Sequence, residues 1–174
     1  YWIQADENTK DLGAIDHAKV TRRRMALKPL MAIYQRRTAD KSYGWCVAPW
    51  PAPANAQDAR MGLLAYTGVL YRALRLDQPD PVACWRDVRD QQERLVRWLA
   101  GKHHAEVKGP GIDLRFDFTD RPWINCFGDC NLPDGEIFTS PIEDSVNGHV
   151  AFNFPSTYTG FDVEGVQVTF KDGR

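Results

Sequence analysis

Residues 131–153 read NLPDGEIFTSPIEDSVNGHVAFN. Glu136 follows a Pro-Asp-Gly turn and precedes a short apolar run, Ile137-Phe138. Glu143 and Asp144 come within eight residues of it, and His149 opens the next strand-like segment. Carboxylates spaced this densely among aromatic and β-branched neighbours need a reason to remain charged, and a metal ion is the simplest one. Gly135 permits a sharp backbone turn and Pro133 stiffens the approach, so the Glu136 carboxylate is expected to point one way. From the residues alone a second reading stands beside the ligand role, because a glutamate on a turn is usually solvated.

Outward from this stretch the chain changes character near Gly101. Before it, Asp16 is placed to cap a helix through Ala18, Val20, Met25, Leu27 and Leu30. The other face of that helix carries Arg22, Arg23, Arg24 and Lys28, either a solvated face or a site for phosphate or an acidic partner. Tyr43 to Trp50 alternates like a strand and ends in the rigid turn Pro49-Trp50-Pro51-Ala52-Pro53. Leu63 to Leu76 reads as a second helix despite Gly68. Asp80-Pro81 starts a third, stopped by Gly101. Its stripe of Val82, Trp85, Val88, Leu95, Trp98 and Leu99 is expected to be core.

After Gly101, strand-like segments alternate with turns: 106–107, 113–118, 122–126, 149–154 and 163–170. The expected fold class is α/β, an α/β portion over 1–101 followed by a β-rich portion over 102–174. Asp172-Gly173 is a hairpin signal that calls for a returning strand, without which Val166 to Phe170 keeps an unpaired edge. Together with the abrupt start on Tyr1-Trp2-Ile3, this leads us to expect a middle piece of a longer protein, with a frayed natural C-terminus as the alternative.

Composition excludes several classes of function. The chain has 174 residues, 43% hydrophobic and 26% charged, with a net charge of -1. Near-neutral charge argues against nucleic acid or an anionic membrane as an obligatory partner. No apolar stretch approaches the length of a membrane span. Cys46, Cys84, Cys126 and Cys130 lack the spacing of a secreted scaffold, and free thiols in a cytoplasmic protein are expected. No phosphate-binding glycine loop, nucleophile elbow or HExxH helix is present.

The 131–148 segment resembles the central motif of the aminopeptidase T / aminopeptidase S family, the thermophilic metallopeptidases. Their run has the form N-x-P-x-G-E-(V/I)-(F/Y)-T-(A/S)-P-x-E-D-S-V-x-G. It is matched here by Asn131, Pro133, Gly135, Glu136, Ile137, Phe138, Thr139, Ser140, Pro141, Glu143, Asp144, Ser145, Val146 and Gly148. The resemblance extends to Tyr1-Trp2-Ile3, Arg22-Arg23-Arg24, Ala48-Pro49-Trp50-Pro51, residues 109–114, Trp123-Ile124-Asn125, residues 163–166 and 170–174. It implies a cytoplasmic, homodimeric, metal-dependent aminopeptidase acting on peptides, with two divalent ions per site (zinc, cobalt or manganese) and a bridging water as nucleophile. It also implies that Glu136 is a metal ligand, and that a bridging glutamate, histidines and an aspartate lie beyond the position of Arg174. On that basis 1–101 ends an N-terminal domain and 102–174 opens the catalytic domain, the incomplete core of a larger metallopeptidase. A non-catalytic scaffold or dimerisation module derived from the family is the alternative.

Other groups near the motif admit two roles each. Glu143 and Asp144 could extend the metal shell or bind a substrate amine, or serve structural hydrogen bonds, with Asp144 capping a turn before Gly148. Adjacent strand residues point to opposite faces, so at most one of them should face the site. His149 is not a ligand position in the family and reads as a sheet histidine. Cys126 and Cys130 with His103-His104 could be imagined as a zinc site, but a second tight ligand pair is lacking. The Cys126-Phe127-Gly128-Asp129-Cys130 run is where the chain departs most from its relatives.

Overall fold

The computed structural model describes residues 1–158 and 161–174. Backbone proximity divides them into two units, one built on Tyr1–Pro81 with Gly128–Asp134, the other on Val82–Phe127, Gly135–Tyr158 and Asp162–Arg174.

In the first unit a short parallel ribbon joins β1 (Trp2–Gln4) to β2 (Val47–Pro49). Asn131 makes a parallel bridge to Val47 on the opposite side of β2. Helix α1 (His17–Ala39) begins as its sequence requires, because the Asp16 carboxylate accepts the Ala18 N–H at 2.8 Å. That contact satisfies one of the donors left over at a helix start. Most apolar residues of α1 stay uncovered, Met25 and Leu30 each 60% exposed, whereas Val20 and Tyr34 are half-buried. Pro53 opens a short helix, α2 (Pro53–Asp58), which follows the proline-rich turn and packs against α3 (Leu63–Ala73). Ala54, Ala56, Leu70 and Leu74 form the buried core there.

The second unit opens with α4 (Pro81–Leu99), where proline occupies the first helical position and Gly101, at φ 77°, follows the end. The expected core stripe of α4 is only partly covered. Trp85, Val88 and Leu99 are half-buried, whereas Val82, Leu95 and Trp98 are exposed. Trp98 instead carries the Lys102 ammonium over its ring at 4.2 Å. The strands then run β3 (His104–Gly109), β4 (Ile112–Asp117), β5 (Ile124–Cys126), β6 (Glu136–Phe138), β7 (Asn147–Ala151), β8 (Ser156–Tyr158), β9 (Phe161–Val163) and β10 (Gln167–Phe170). An antiparallel sheet has the order β10-β7-β4-β3, and β5 with β6 and β8 with β9 form two-stranded pairs. Phe118, 3% exposed, lies edge-on to Trp123 at 5.3 Å and anchors the end of β4. The hairpin signal at the end of β10 is realised as a turn. Asp172 and Gly173 have φ of 48° and 76°, and Lys171 and Arg174 exchange backbone hydrogen bonds.

Gly148 is the tightest point of the sheet. It sits at φ 118° opposite Leu114, and a Cβ there would overlap the Asp113 carbonyl group. Gly148→Ala is expected to cost on the order of 2 kcal/mol through strain and overpacking. The check is the midpoint of urea unfolding. Gly44→Ala, which meets nothing within 4 Å, should stay within about 0.5 kcal/mol of the wild type.

Candidate metal-ligand hairpin

The β5–β6 pair carries Glu136, and its register decides which side chains share a face. Ile124 pairs with Phe138, Asn125 with Ile137, and Cys126 with Glu136. Directly opposed residues of an antiparallel pair project to the same side, so Asn125 and Ile137 share one face and Cys126 and Glu136 the other.

The first face is turned to α4. Asn125 Nδ2 donates to the Arg89 carbonyl at 3.0 Å and to Glu93 Oε2 at 3.3 Å. From the helix, Gln92 Nε2 reaches three acceptors: Asn125 Oδ1 at 2.7 Å, the Cys126 carbonyl at 2.9 Å and the Glu136 carbonyl at 3.0 Å. An amide nitrogen has two hydrogens, so these contacts share them. One glutamine thereby ties both strands of the hairpin to a helix, and two of its acceptors are the backbone carbonyls of Cys126 and Glu136.

The second face presents a thiol and a carboxylate together. The Cys126 Sγ and a Glu136 carboxylate oxygen lie within 4.8 Å of one another. Gly135, at φ 120°, makes the turn into β6 that the sequence predicts, and a Cβ there would approach Gln92 Oε1 to 3.8 Å. Glu136 itself is exposed. A carboxylate set among apolar neighbours is thus not desolvated here, because the alternation sends Ile137 inward and Glu136 outward. A carboxylate beside a thiol is a donor pair that a borderline-soft divalent ion such as zinc accepts. A closed zinc site takes four ligands, so this pair amounts to part of a shell. Cys126 was read from the sequence only within the Cys126/Cys130/His103-His104 alternative. Its place beside Glu136 depends on a strand register that no spacing reveals.

The remaining acids are arranged differently from the strand expected. Glu143, Asp144 and Ser145 form a 3-10 turn, where strand alternation does not apply. Glu143 is exposed and paired with Arg121 at 2.9 Å. Ser145, rather than Asp144, supplies the local hydrogen bonding: its Oγ donates to the Ile142 carbonyl at 2.6 Å and accepts the Asp117 N–H at 2.9 Å. His149 stands exposed on β7 between Asp113 of β4 and Thr169 of β10. His104 is held by Asp117 at 2.6 Å on the β3–β4 pair.

Comparison with known proteins places the chain in a family. A model of the thermophilic metalloprotease (M29) family matches residues 2–174. Aminopeptidase 2 of Geobacillus stearothermophilus is 31% identical over 147 residues, which cover 75% of this chain and 36% of that protein. Aminopeptidase T of Thermus aquaticus is 30% identical over 148 residues, 74% of this chain and 36% of the relative. The chain thus spans about a third of the length of these curated relatives. The structure of wild-type AmpT from Thermus thermophilus superposes with a TM-score of 0.72 at 24% identity, over 98% of this chain and 46% of that one. It shares the mixed helix-and-sheet fold.

Removing the Gln92 amide should loosen the hairpin. Gln92→Ala leaves the Cys126 and Glu136 carbonyls short of a donor, at a cost of about 1–2 kcal/mol. Amide hydrogen exchange over 124–126 and 136–138 should then accelerate roughly 5–30-fold. Gln91→Ala, at an exposed neighbouring position, should leave that exchange unchanged.

Proposed function

Because the chain belongs to the thermophilic metalloprotease (M29) family, we propose that the whole protein is a metal-dependent aminopeptidase releasing N-terminal residues from peptides. The observation that carries this reading is Glu136, presented on an exposed hairpin face beside the Cys126 thiol and braced from behind by Gln92. The relatives support it, being named aminopeptidases.

In this reading Glu136 is a terminal ligand of a two-ion site that takes zinc, cobalt or manganese. When bound, such ions supply Lewis acidity and an activated water for peptide hydrolysis. These residues contribute one carboxylate to that site, and the other ligands come from parts of the protein outside this chain. Residues 1–101 then close an N-terminal domain and 102–174 begin the catalytic one. The substrate is peptide, the protein works in the cytoplasm, and a homodimer is its assembled form. The hairpin's own work is orientation. Gln92 and Asn125 hold the strand so that the Glu136 carboxylate keeps its direction, which limits the reorganisation a ligand must undergo on binding.

The test is metal content and leucine-anilide hydrolysis of the full-length protein and of Glu136→Gln. Glu136→Gln should lower metal affinity by at least the ~10–100-fold that loss of a supporting contact costs, with hydrolysis falling in parallel. Unchanged metal and activity in Glu136→Gln would remove Glu136 from the site. A full-length protein without metal or activity would leave the scaffold or dimerisation module as the function.

A further inference from the structure

Cys46 and Cys130 lie on neighbouring backbone segments of the first unit. The Val47 N–H donates to the Cys130 carbonyl at 2.8 Å, and the Leu132 N–H donates to the Val47 carbonyl at 2.9 Å. These two bonds set the parallel bridge between Val47 and Asn131. Each cysteine stands one residue before its bridge partner, so the two occupy equivalent positions on parallel segments. Equivalent positions in parallel pairing carry their side chains on the same face. Neighbouring strands lie about 4.8 Å apart, within the roughly 4.4–6.8 Å Cα separation over which a disulfide closes.

Both cysteines are half-buried thiols rather than members of a disulfide. Cys46 also lines a pocket of about 320 Å³ with Tyr1, Gly44, Trp45 and Asp129, a space that admits a small reagent beside this residue. Burial pushes the Cys130 thiol up, and the charges of Asp129, Cys46 and Asp134 add to that. An influence of Cys46 on the ionisation of Cys130 agrees with the register in making the two sulfurs neighbours.

We propose that Cys46 and Cys130 form a reversible oxidation site, closing to a disulfide that ties the residue before β2 to the segment leading into Pro133-Asp134-Gly135-Glu136. The oxidant is a small-molecule disulfide. Cys46 loses its proton and its thiolate attacks one sulfur of the reagent. The reagent S–S bond breaks, and one half leaves as a thiolate that takes up a proton. Cys130, kept protonated by its surroundings, is the resolving thiol. It gives up its proton and displaces the second half from the mixed disulfide. Two protein thiols are oxidised to one disulfide, and the reagent is reduced to two thiols. The product is a covalent link beside an existing backbone bridge, so it fixes a register the chain already holds.

The experiment uses the full-length protein, incubated with oxidised glutathione, alkylated, digested without reductant and mapped by mass spectrometry. The expected result is the Cys46 peptide linked to the Cys130 peptide, the link disappearing on treatment with dithiothreitol. Cys46→Ser and Cys130→Ser should each abolish it, and Cys126→Ser should leave it intact. A wild-type map linking Cys130 to Cys126 overturns the proposal. So does one in which Cys46 and Cys130 are each alkylated or glutathionylated singly. The wild-type map decides the matter whether or not the variants fold.

Discussion

A single side-chain amide holds the candidate ligand in place. Gln92 projects from α4 and donates to a side chain and two backbone carbonyls on β5 and β6, while Asn125 returns a hydrogen bond to the helix backbone. A three-residue strand pair has little intrinsic stability, since isolated two-stranded hairpins are marginal in water. The polar clamp supplies what the short ladder lacks. It also dictates direction: with Asn125 committed to the helix, strand alternation turns Cys126 and Glu136 outward.

The rest of the second unit is organised by close backbone approach more than by bulk burial. Gly148 brings β7 against β4 where a side chain would not fit. The 3-10 turn before β7 is held by Ser145 against the end of β4, and the Phe118–Trp123 contact closes that end. In the first unit the three-residue strands β1 and β2 are joined on the far side by the Asn131 bridge. The segment preceding the candidate ligand is therefore paired in its own right, and its Cys130 stands at the position equivalent to Cys46, the residue just before β2.

Much of this architecture is written in local sequence signals. Asp16 and Asp80-Pro81 mark helix starts, Gly101 a helix stop, and Asp172-Gly173 a tight turn, because caps and turns depend on neighbouring residues only. The same holds for Gly135, whose positive φ delivers Glu136 into β6. Contacts distant along the chain were not readable. Nothing in the spacing pairs Cys126 with Glu136, or aims Gln92 at a hairpin more than thirty residues on. Glu136 is exposed for the same reason, since its adjacent apolar residue, Ile137, sits on the opposite face of the strand. The α4 stripe is expected as core yet leaves Val82, Leu95 and Trp98 exposed, because periodicity says nothing of what covers an apolar face.

The β10-β7-β4-β3 sheet has two boundary strands of opposite character. On β3, His104, Glu106 and Lys108 are exposed, and the Glu106–Lys108 pair at 3.1 Å holds the carboxyl below and the ammonium above their usual ranges. Such a fringe of fixed charge repels a foreign strand, a common guard against edge-to-edge association. β10 reads Gln167-Val168-Thr169-Phe170 and carries no charge at all. Of the sheet's two boundary strands, β3 thus carries the charged guard and β10 lacks it, an asymmetry that makes β10 the less defended edge.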